Sequence, residues 1–500
     1  MHVQRRRDEH VHDDKFGREQ HRQQRRQTSL LANPPPRADR ASVATGTERG
    51  RQRPTHHYTA GVGATIRARF HLPLHSSPPA SASLLDHGSF VRFWAARLAA
   101  VFAYQMQAVA VGWQIYALTG SVFDLGLVGL AQFLPSLALL LVVGHVADRY
   151  DRRRIVGLCQ LIEGGAAVLL AVLSASGRIN EHAIFTLIAV IGAARAFEMP
   201  TQQTLLPSLV PSRLLSRAVA ANATAGQTAI VLGPALGGLL YIAGPATVYG
   251  LCAVLFLVAS GLSASLRIER KPPHRDPPTL ATLFAGIAFI RRQRALLGAI
   301  SLDLFAVLLG GAAALFPVYA RDILHTGPWG LGLLRSAPAI GALATAAWLA
   351  HHPLQRRAGA MMFGGVAVFG VATIVFGLSR SFALSLAALV VLGTADMVSV
   401  VVRQSLVQLR TPDAMRGRVS AVNSMFIGAS NQLGEFESGV TAAWFGTVPS
   451  VVIGGIGTLL VVALWMRMFR ELVHVDAIDA ERESISGPPG DGKRPANPRH

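Results

Sequence analysis

Eight ionisable side chains sit inside apolar runs of the chain, and their spacing points to acid–base chemistry performed within a membrane. Glu163 lies inside one run; Arg195 and Glu198 are three apart, so a helix places them on one face; Asp303 stands in a later run. Asp396 and Arg403 are seven apart and share a helical face, and Glu435 and Glu437 fall within Gly434-Glu-Phe-Glu-Ser-Gly439. An ionised group at the centre of a bilayer costs about 2.5–3.5 kcal/mol on insertion scales, so each of these is a functional candidate unless it reaches an interface. A carboxylate in such a place can take up a proton when buried and release it when a cation or water arrives. Glu163, Asp303, Asp396 and Glu435 are candidate carriers, with Arg195, Glu198 and Arg403 beside them, and residue type does not rank them. A local i,i+3 pair or a helix–helix hydrogen bond accounts for several of them equally well.

No other chemistry is indicated. No nucleophile–base pair, no His or Cys set at metal-ligand spacing and no phosphate-cradling glycine loop is present, so no catalytic residue, no metal site and no cofactor is expected. Cys159 and Cys252 each sit in an apolar run, where they behave as small hydrophobes rather than as a disulfide pair.

The elements that must position these groups follow from composition. Half of the 500 residues are hydrophobic and only 15% are charged, the balance of a polytopic membrane protein. Twelve apolar runs of bilayer-spanning length are predicted, near 93–117, 125–147, 155–176, 182–204, 216–241 and 247–266, then 295–319, 329–350, 359–378, 382–408, 419–443 and 449–468. An internal repeat divides them six and six. Ile191-Gly192 returns as Leu392-Gly393, Gln203-Thr204-Leu205 as Gln404-Ser405-Leu406, and Arg217 through Asn222 as Arg418 through Asn423, at an offset of 201. The expected class is an all-α membrane protein with twelve transmembrane helices in two pseudo-symmetric six-helix bundles, 87–266 and 295–470. Residues 1–86, rich in Arg, His, Gln and Pro, read as a disordered basic tail, and 471–500 as a second disordered tail. The linker 267–294 begins with Pro272, Pro273, Pro277 and Pro278 and continues as a predicted amphipathic helix, with Leu280, Leu283, Phe284, Ile287 and Ile290 at helical spacing before Arg291.

The formal charge of +19 has the look of a nucleic-acid signal until it is mapped. The basic residues gather in the N-terminal tail and in the loops after even-numbered spans: Arg149, Arg152, Arg153 and Arg154; Arg213 and Arg217; Arg267, Arg270, Lys271 and Arg275; Arg356 and Arg357; Arg410, Arg416 and Arg418. The alternate loops hold little beyond Arg178, Arg321 and Arg380. The positive-inside bias then places both termini in the cytoplasm, with the chain multi-pass in the membrane and no nucleic-acid partner.

Two motifs carry a mechanism. Between the second and third spans, Gly144-His-Val-Ala-Asp148-Arg149-Tyr-Asp-Arg152-Arg153 combines a small residue for close helix approach, an acid that can face a helix N-terminus, and arginines for carboxylates or lipid phosphates. Contacts of this kind can hold one end of the two halves together in one state and release it in another, which is a gate. In the fifth span, Gly233-Pro234-Ala-Leu-Gly237-Gly238 kinks the helix and opens a flat surface for a neighbouring helix. Gln105, Gln107, Trp113, Gln114 and Tyr116 of the first span either line a solute path or bind helices together.

On these residues the chain resembles the major facilitator superfamily. Its loop pattern Gly-x-x-x-Asp-Arg-x-Gly-Arg-Arg matches at Gly144, Asp148, Arg149, Arg152 and Arg153 and departs at Asp151, where glycine is usual. The Gly233 to Gly238 segment is similar to the exporter motif of that superfamily, though Ala220 and Ala229 replace its upstream glycines; Arg195 matches an arginine associated with proton coupling. Within the superfamily, the segments running from Arg195 to Pro211, from Phe289 to Arg294 and from Asn431 to Gly439 look like the transmembrane secretion effector branch. The resemblance implies a monomeric secondary transporter of the bacterial inner membrane that exports a siderophore, drug or other amphipathic small molecule by alternating access, in exchange for protons. A proton-coupled importer of the same fold, or a membrane scaffold without transport, remains the alternative.

Overall fold

The computed structural model describes residues 84–267, 280–352 and 357–474, with the side chains of 140–141, 147–148, 280–283 and 414 outside that description. The N-terminal tail up to residue 83, the linker prolines and the tail from 475 onward lie outside the described residues. Thirteen long helices make up the described chain. They are α1 (Gly88–Thr119), α2 (Val122–Arg149), α3 (Arg152–Ala175), α4 (Glu181–Leu209), α5 (Leu215–Leu240), α6 (Pro245–Ala264), α7 (Leu280–Arg292), α8 (Arg294–Gly310), α9 (Pro328–His351), α10 (Ala358–Leu378), α11 (Phe382–Arg410), α12 (Asp413–Phe445) and α13 (Thr447–Met468). Helix α8 continues through short turns at Ala312–Leu315, Phe316–Val318 and Tyr319–Ile323, which completes a 30-residue span. The spans are therefore the twelve helices α1–α6 and α8–α13, six in each half.

Local signals set the boundaries. Gly120 ends α1 in the left-handed region at φ 63°, donating its N–H to the Tyr116 carbonyl, and Ser121 then caps α2 by accepting from Asp124 N–H at 3.2 Å. Asn180 caps α4 through Ala183 N–H at 2.8 Å. Helix α7 is a separate helix and not an extension of the next span, because Gln293 is extended between them. It lies against α12, with Gly286 close to Arg418 and Val422 and with Ile290 buried among Leu296, Ile300, Val407, Val419 and Val422, while Phe284 stays exposed.

Ten of the twelve spans are long and apolar enough to cross a membrane by length and composition. The other two, α1 and α12, are the longest helices, at 32 and 33 residues, and carry glutamines, two asparagines and two glutamates along their length. Several of their polar residues line one cavity, described below.

The halves meet along two seams built on small residues. Helix α5 crosses α9 where a Cβ on Gly238 would stand 2.3 Å from the Pro328 carbonyl oxygen and 3.0 Å from Gly332 Cα, and one on Gly332 would stand 2.5 Å from the Pro234 oxygen. Helix α2 crosses α12 where a Cβ on Gly439 would stand 2.6 Å from Gly126 Cα. Gly439 lies at the repeat offset from Gly238, Gly434 from Gly233 and Glu435 from Pro234, so the seams are two copies of one backbone contact. Both lie toward the arginine-poor ends of the helices. Farther from those ends an added Cβ at Gly226 of α5 or Gly428 of α12 meets nothing within 4 Å, and the interlock is gone.

Candidate functional site

A cavity of about 100 Å³ lies where α1, α2, α4, α9, α12 and the turn after α8 converge. Its apolar wall includes Val111, Leu125, Val128, Ile188 and Ile191. Its polar groups are Tyr104 and Gln107 of α1, Gln132 of α2, Arg335 of α9, and Gln432 and Glu435 of α12. Gln107 of α1 and Gln432 of α12, which help to make these helices marginal as membrane spans, thus face this interior.

The polar groups are joined across the halves. Gln432 donates to Gln132 Oε1 at 3.5 Å, Gln132 donates to the Tyr104 hydroxyl at 2.9 Å, and the Arg195 guanidinium stacks 3.6 Å from the centre of the Tyr104 ring. Arg335 and Glu435 are within electrostatic reach of each other. Several atoms are left without a protein partner among the described residues: both amide atoms of Gln107, Nε of Arg335 and Oε1 of Gln432. Unpaired buried polar atoms are costly unless something satisfies them, so this wall can hydrogen-bond a solute.

Two clusters of charge flank the cavity, one in each half. In the N-terminal half Glu198 accepts from Gln160 at 2.9 Å and Gln202 at 2.7 Å, Arg195 stands 3.9 Å from Glu198, and Glu163 faces the pair from α3. In the C-terminal half Asp303 and Arg403 form an ion pair at 3.2 Å, Arg403 also donates to Asn423 at 3.1 Å, and Asp396 faces both charged groups. Arg195 and Asp396 stand at equivalent positions of the repeat, and each engages partners within its own half: Tyr104 and Glu198 retain the arginine, and Asp396 faces Asp303 and Arg403.

The remaining sequence candidates are placed as follows. Gly233 and Gly237 pack on α1, where an added Cβ would come within 2.7 Å of Gln105 Cβ and of Met106 Cα; Gly238 packs on α9. Gly144 is half-buried and Arg149 exposed, whereas the Asp148 side chain lies outside the described residues. Asp151 explains the departure from the usual glycine: it caps α3 by accepting from Arg153 N–H at 3.0 Å, and it pairs with the Arg153 guanidinium, which also donates to the Leu266 carbonyl at 2.7 Å. These hydrogen bonds from Arg153 hold the Asp151 carboxyl below its ordinary range. Glu437 is half-buried and accepts from Thr441 at 2.7 Å. Of the first-span candidates, Gln107 lines the cavity, Gln114 binds helices together through Ser174 and Tyr249, and Trp113 packs into an apolar cluster. Tyr116 donates a hydrogen bond to Asp322, and Arg321 donates to the Tyr116 carbonyl at 3.3 Å, which ties the ends of α1 and the α8 span.

Arg335, Gln132 and Gln432 were not singled out from the sequence. Arg335 offered the clearest signal: it is an arginine seven residues into an apolar helix, by the same criterion that selected Asp303. Gln132 and Gln432 offered less, since a lone glutamine in a span is usually helix–helix glue.

A polar chamber enclosed between two repeat-related six-helix bundles defines a membrane transporter of the major facilitator superfamily. Residues 80–489 match the transmembrane secretion effector family, and the chain belongs to it. It is 27% identical over 398 residues to the enterobactin exporter EntS of Citrobacter koseri, covering 78% of this chain and 94% of that protein. Identity to EntS of Escherichia coli strain K12 is also 27%, over 400 residues with the same coverage. Among solved structures the fold is similar to a bacterial homolog of the human lysosomal transporter Spinster in an inward-facing, occupied conformation, with TM-score 0.64, 12% identity and coverage of 78% of this chain and 99% of that one. The nucleoside transporter NupG shares the fold at TM-score 0.58 and 13% identity, covering 76% and 99%.

Proposed function

We propose that this transporter exports an amphipathic small molecule, of the siderophore or drug class, in exchange for protons. The observation that carries the reading is the chamber itself: one apolar wall, one wall of partnerless amide and guanidinium atoms, and two glycine seams that close it on one side. Such a mixed lining suits a solute with both an aromatic or aliphatic body and several hydrogen-bonding groups. The likeness to enterobactin exporters supports efflux and the siderophore class.

Alternating access supplies the mechanism. With the arginine-rich ends in the cytoplasm, as the positive-inside bias requires, the seams at Gly238 and Gly439 close the periplasmic side and the chamber faces inward. Solute enters, the halves rock, the glycine seams part, and the loop of Gly144, Asp148, Arg149, Arg152 and Arg153 latches the cytoplasmic side. One chain contains both halves and the whole chamber, which suits a monomer.

The test is transport into everted inner-membrane vesicles carrying an imposed pH gradient, with catecholate siderophores and cationic dyes as probes. Accumulation that collapses with the gradient supports proton-driven export; accumulation only in right-side-out vesicles would make the protein an importer. Asp148→Asn is expected to abolish flux while the protein remains in the membrane at wild-type amounts by immunoblot, and unchanged flux would remove the latch.

A further inference from the structure

We propose that Glu163 and Glu198 form a buried acid pair sharing one proton, held on Glu163, and that this is the proton site of the exporter. The transport part of the proposal rests on the proton-exchange reading above, whereas the location of the proton does not.

The two carboxyl groups differ in what surrounds them. Glu198 is 3% exposed and is met by donors: the amides of Gln160 and Gln202 both point their N–H groups at its Oε1, and Arg195 lies beside Oε2. The amides are held that way round, because Ser263 donates to Gln160 Oε1 at 2.8 Å and Arg97 donates to Gln202 Oε1 at 3.0 Å. Such a ring of donors suits a carboxylate. Glu163 is 0% exposed, and no donor reaches either of its oxygens among the described residues; the carboxyl group that faces it is that of Glu198. Two carboxylates that face each other in a buried interior do not readily both ionise. A proton on Glu163, donated to Glu198, satisfies both groups at once.

The neighbours do not offer another solution. From α3 itself comes Cys159, from α4 Arg195, from α1 Arg97 and Tyr104, and from α6 only Ser263 among groups that could act here. Arg195 is the one cation that faces Glu163, and it is drawn toward Glu198 and over the Tyr104 ring. Tyr104 also lines the chamber, where Gln132 holds its hydroxyl. A solute that displaces Tyr104 frees Arg195 to approach Glu163, which favours release of the proton; return of Arg195 to the ring favours its uptake. In the other half Asp303 has its own arginine at 3.2 Å, and Asp396 faces that arginine as well as Asp303, so neither is left with a carboxylate alone.

The test is infrared difference spectroscopy on the full chain in lipid nanodiscs at neutral pH, wild type against Glu163→Gln. Glutamine keeps a donor toward Glu198, so the variant is expected to fold. The expected difference is loss of one carbonyl band of a protonated carboxylic acid, a band that shifts in heavy water. Loss of carboxylate bands instead, with the acid region unchanged, would show Glu163 ionised and overturn the proposal. Should the glutamine variant fail to accumulate, Glu163→Asp carries the same test, because it keeps the acid and must move that band; an unmoved band overturns the assignment. Vesicle transport is read separately: a Glu163→Gln protein that has lost the band yet still accumulates dye in proportion to the pH gradient retains no coupling role for this acid.

Discussion

The two seams that join the halves share a backbone contact and differ in almost everything attached to it. At α5 and α9 the contact is bare backbone: Gly238 meets Gly332, and Pro234 offers only a carbonyl oxygen to Gly332. At α2 and α12 the glycine contact recurs at Gly126 and Gly439, but the position equivalent to Pro234 is Glu435, which closes on Gly129 and faces Arg335. Phe123 and Phe436 pack edge to face beside it, and Gln132 and Gln432 follow one turn deeper. Duplication supplied two like backbone contacts; divergence left one bare and set the other beside the cavity. Backbone-to-backbone packing tolerates no side chain, so it persists, while the residues at its margin are free to change.

The largest effect should come from breaking the shared part. Gly238→Val and Gly439→Val each force a side chain into backbone, an overpacking cost of about 1–3 kcal/mol, and should shift the balance away from the closed seam by roughly 10- to 100-fold. The labelling rate of a cysteine at Val111, added from the arginine-poor side in right-side-out vesicles, reads that shift; unequal responses would show that the seams do not open together. Next come the margins. Glu435→Gln should lower solute flux about tenfold or more with the protein still inserted, whereas Pro234→Ala should slow opening without altering solute affinity, because only the former touches the chamber. A smaller change is expected for Tyr116→Phe, which removes the hydrogen bond to Asp322 between the halves and should raise the same labelling rate a few-fold, for a bond worth about 0.5–1.5 kcal/mol.

The smallest prediction contrasts the closed side with the arginine-rich side. Asp151→Ala removes a helix cap worth about 0.5–2 kcal/mol and should lower the melting temperature modestly while leaving the Val111 labelling rate unchanged. Because Arg153 depresses the Asp151 carboxyl, its contribution is present above about pH 4 and fades as pH falls further, so wild type and variant should converge in melting temperature at acid pH.

The fold was legible because lipid leaves the chain little choice. Apolar length and the arginine rhythm of the loops give the spans, and the 201-residue repeat gives their grouping. Pro234 and its glycines also stood out, since residue type alone marks them within an apolar helix. The site was legible only in part. Glu163, Glu198, Asp303 and Arg403 announced themselves by their cost in an apolar run, and so should have Arg335, but nothing in the spacing said that Arg195 would turn to Tyr104 of another helix. Gln107 and Gln114 are seven residues apart on one helix and look alike in sequence; one faces the chamber and the other is bound by Ser174 and Tyr249.

What the sequence by itself determined, then, is which segments cross the membrane, that they come in two copies, and which charges are out of place in them, because each of these is a property of one helix in lipid. Which carboxylate meets donors and which meets only another carboxylate was decided by tertiary structure alone. That distinction depends on how α1, α3, α4 and α6 are rotated against one another, and rotation is fixed by packing between helices rather than by the residues of any one of them.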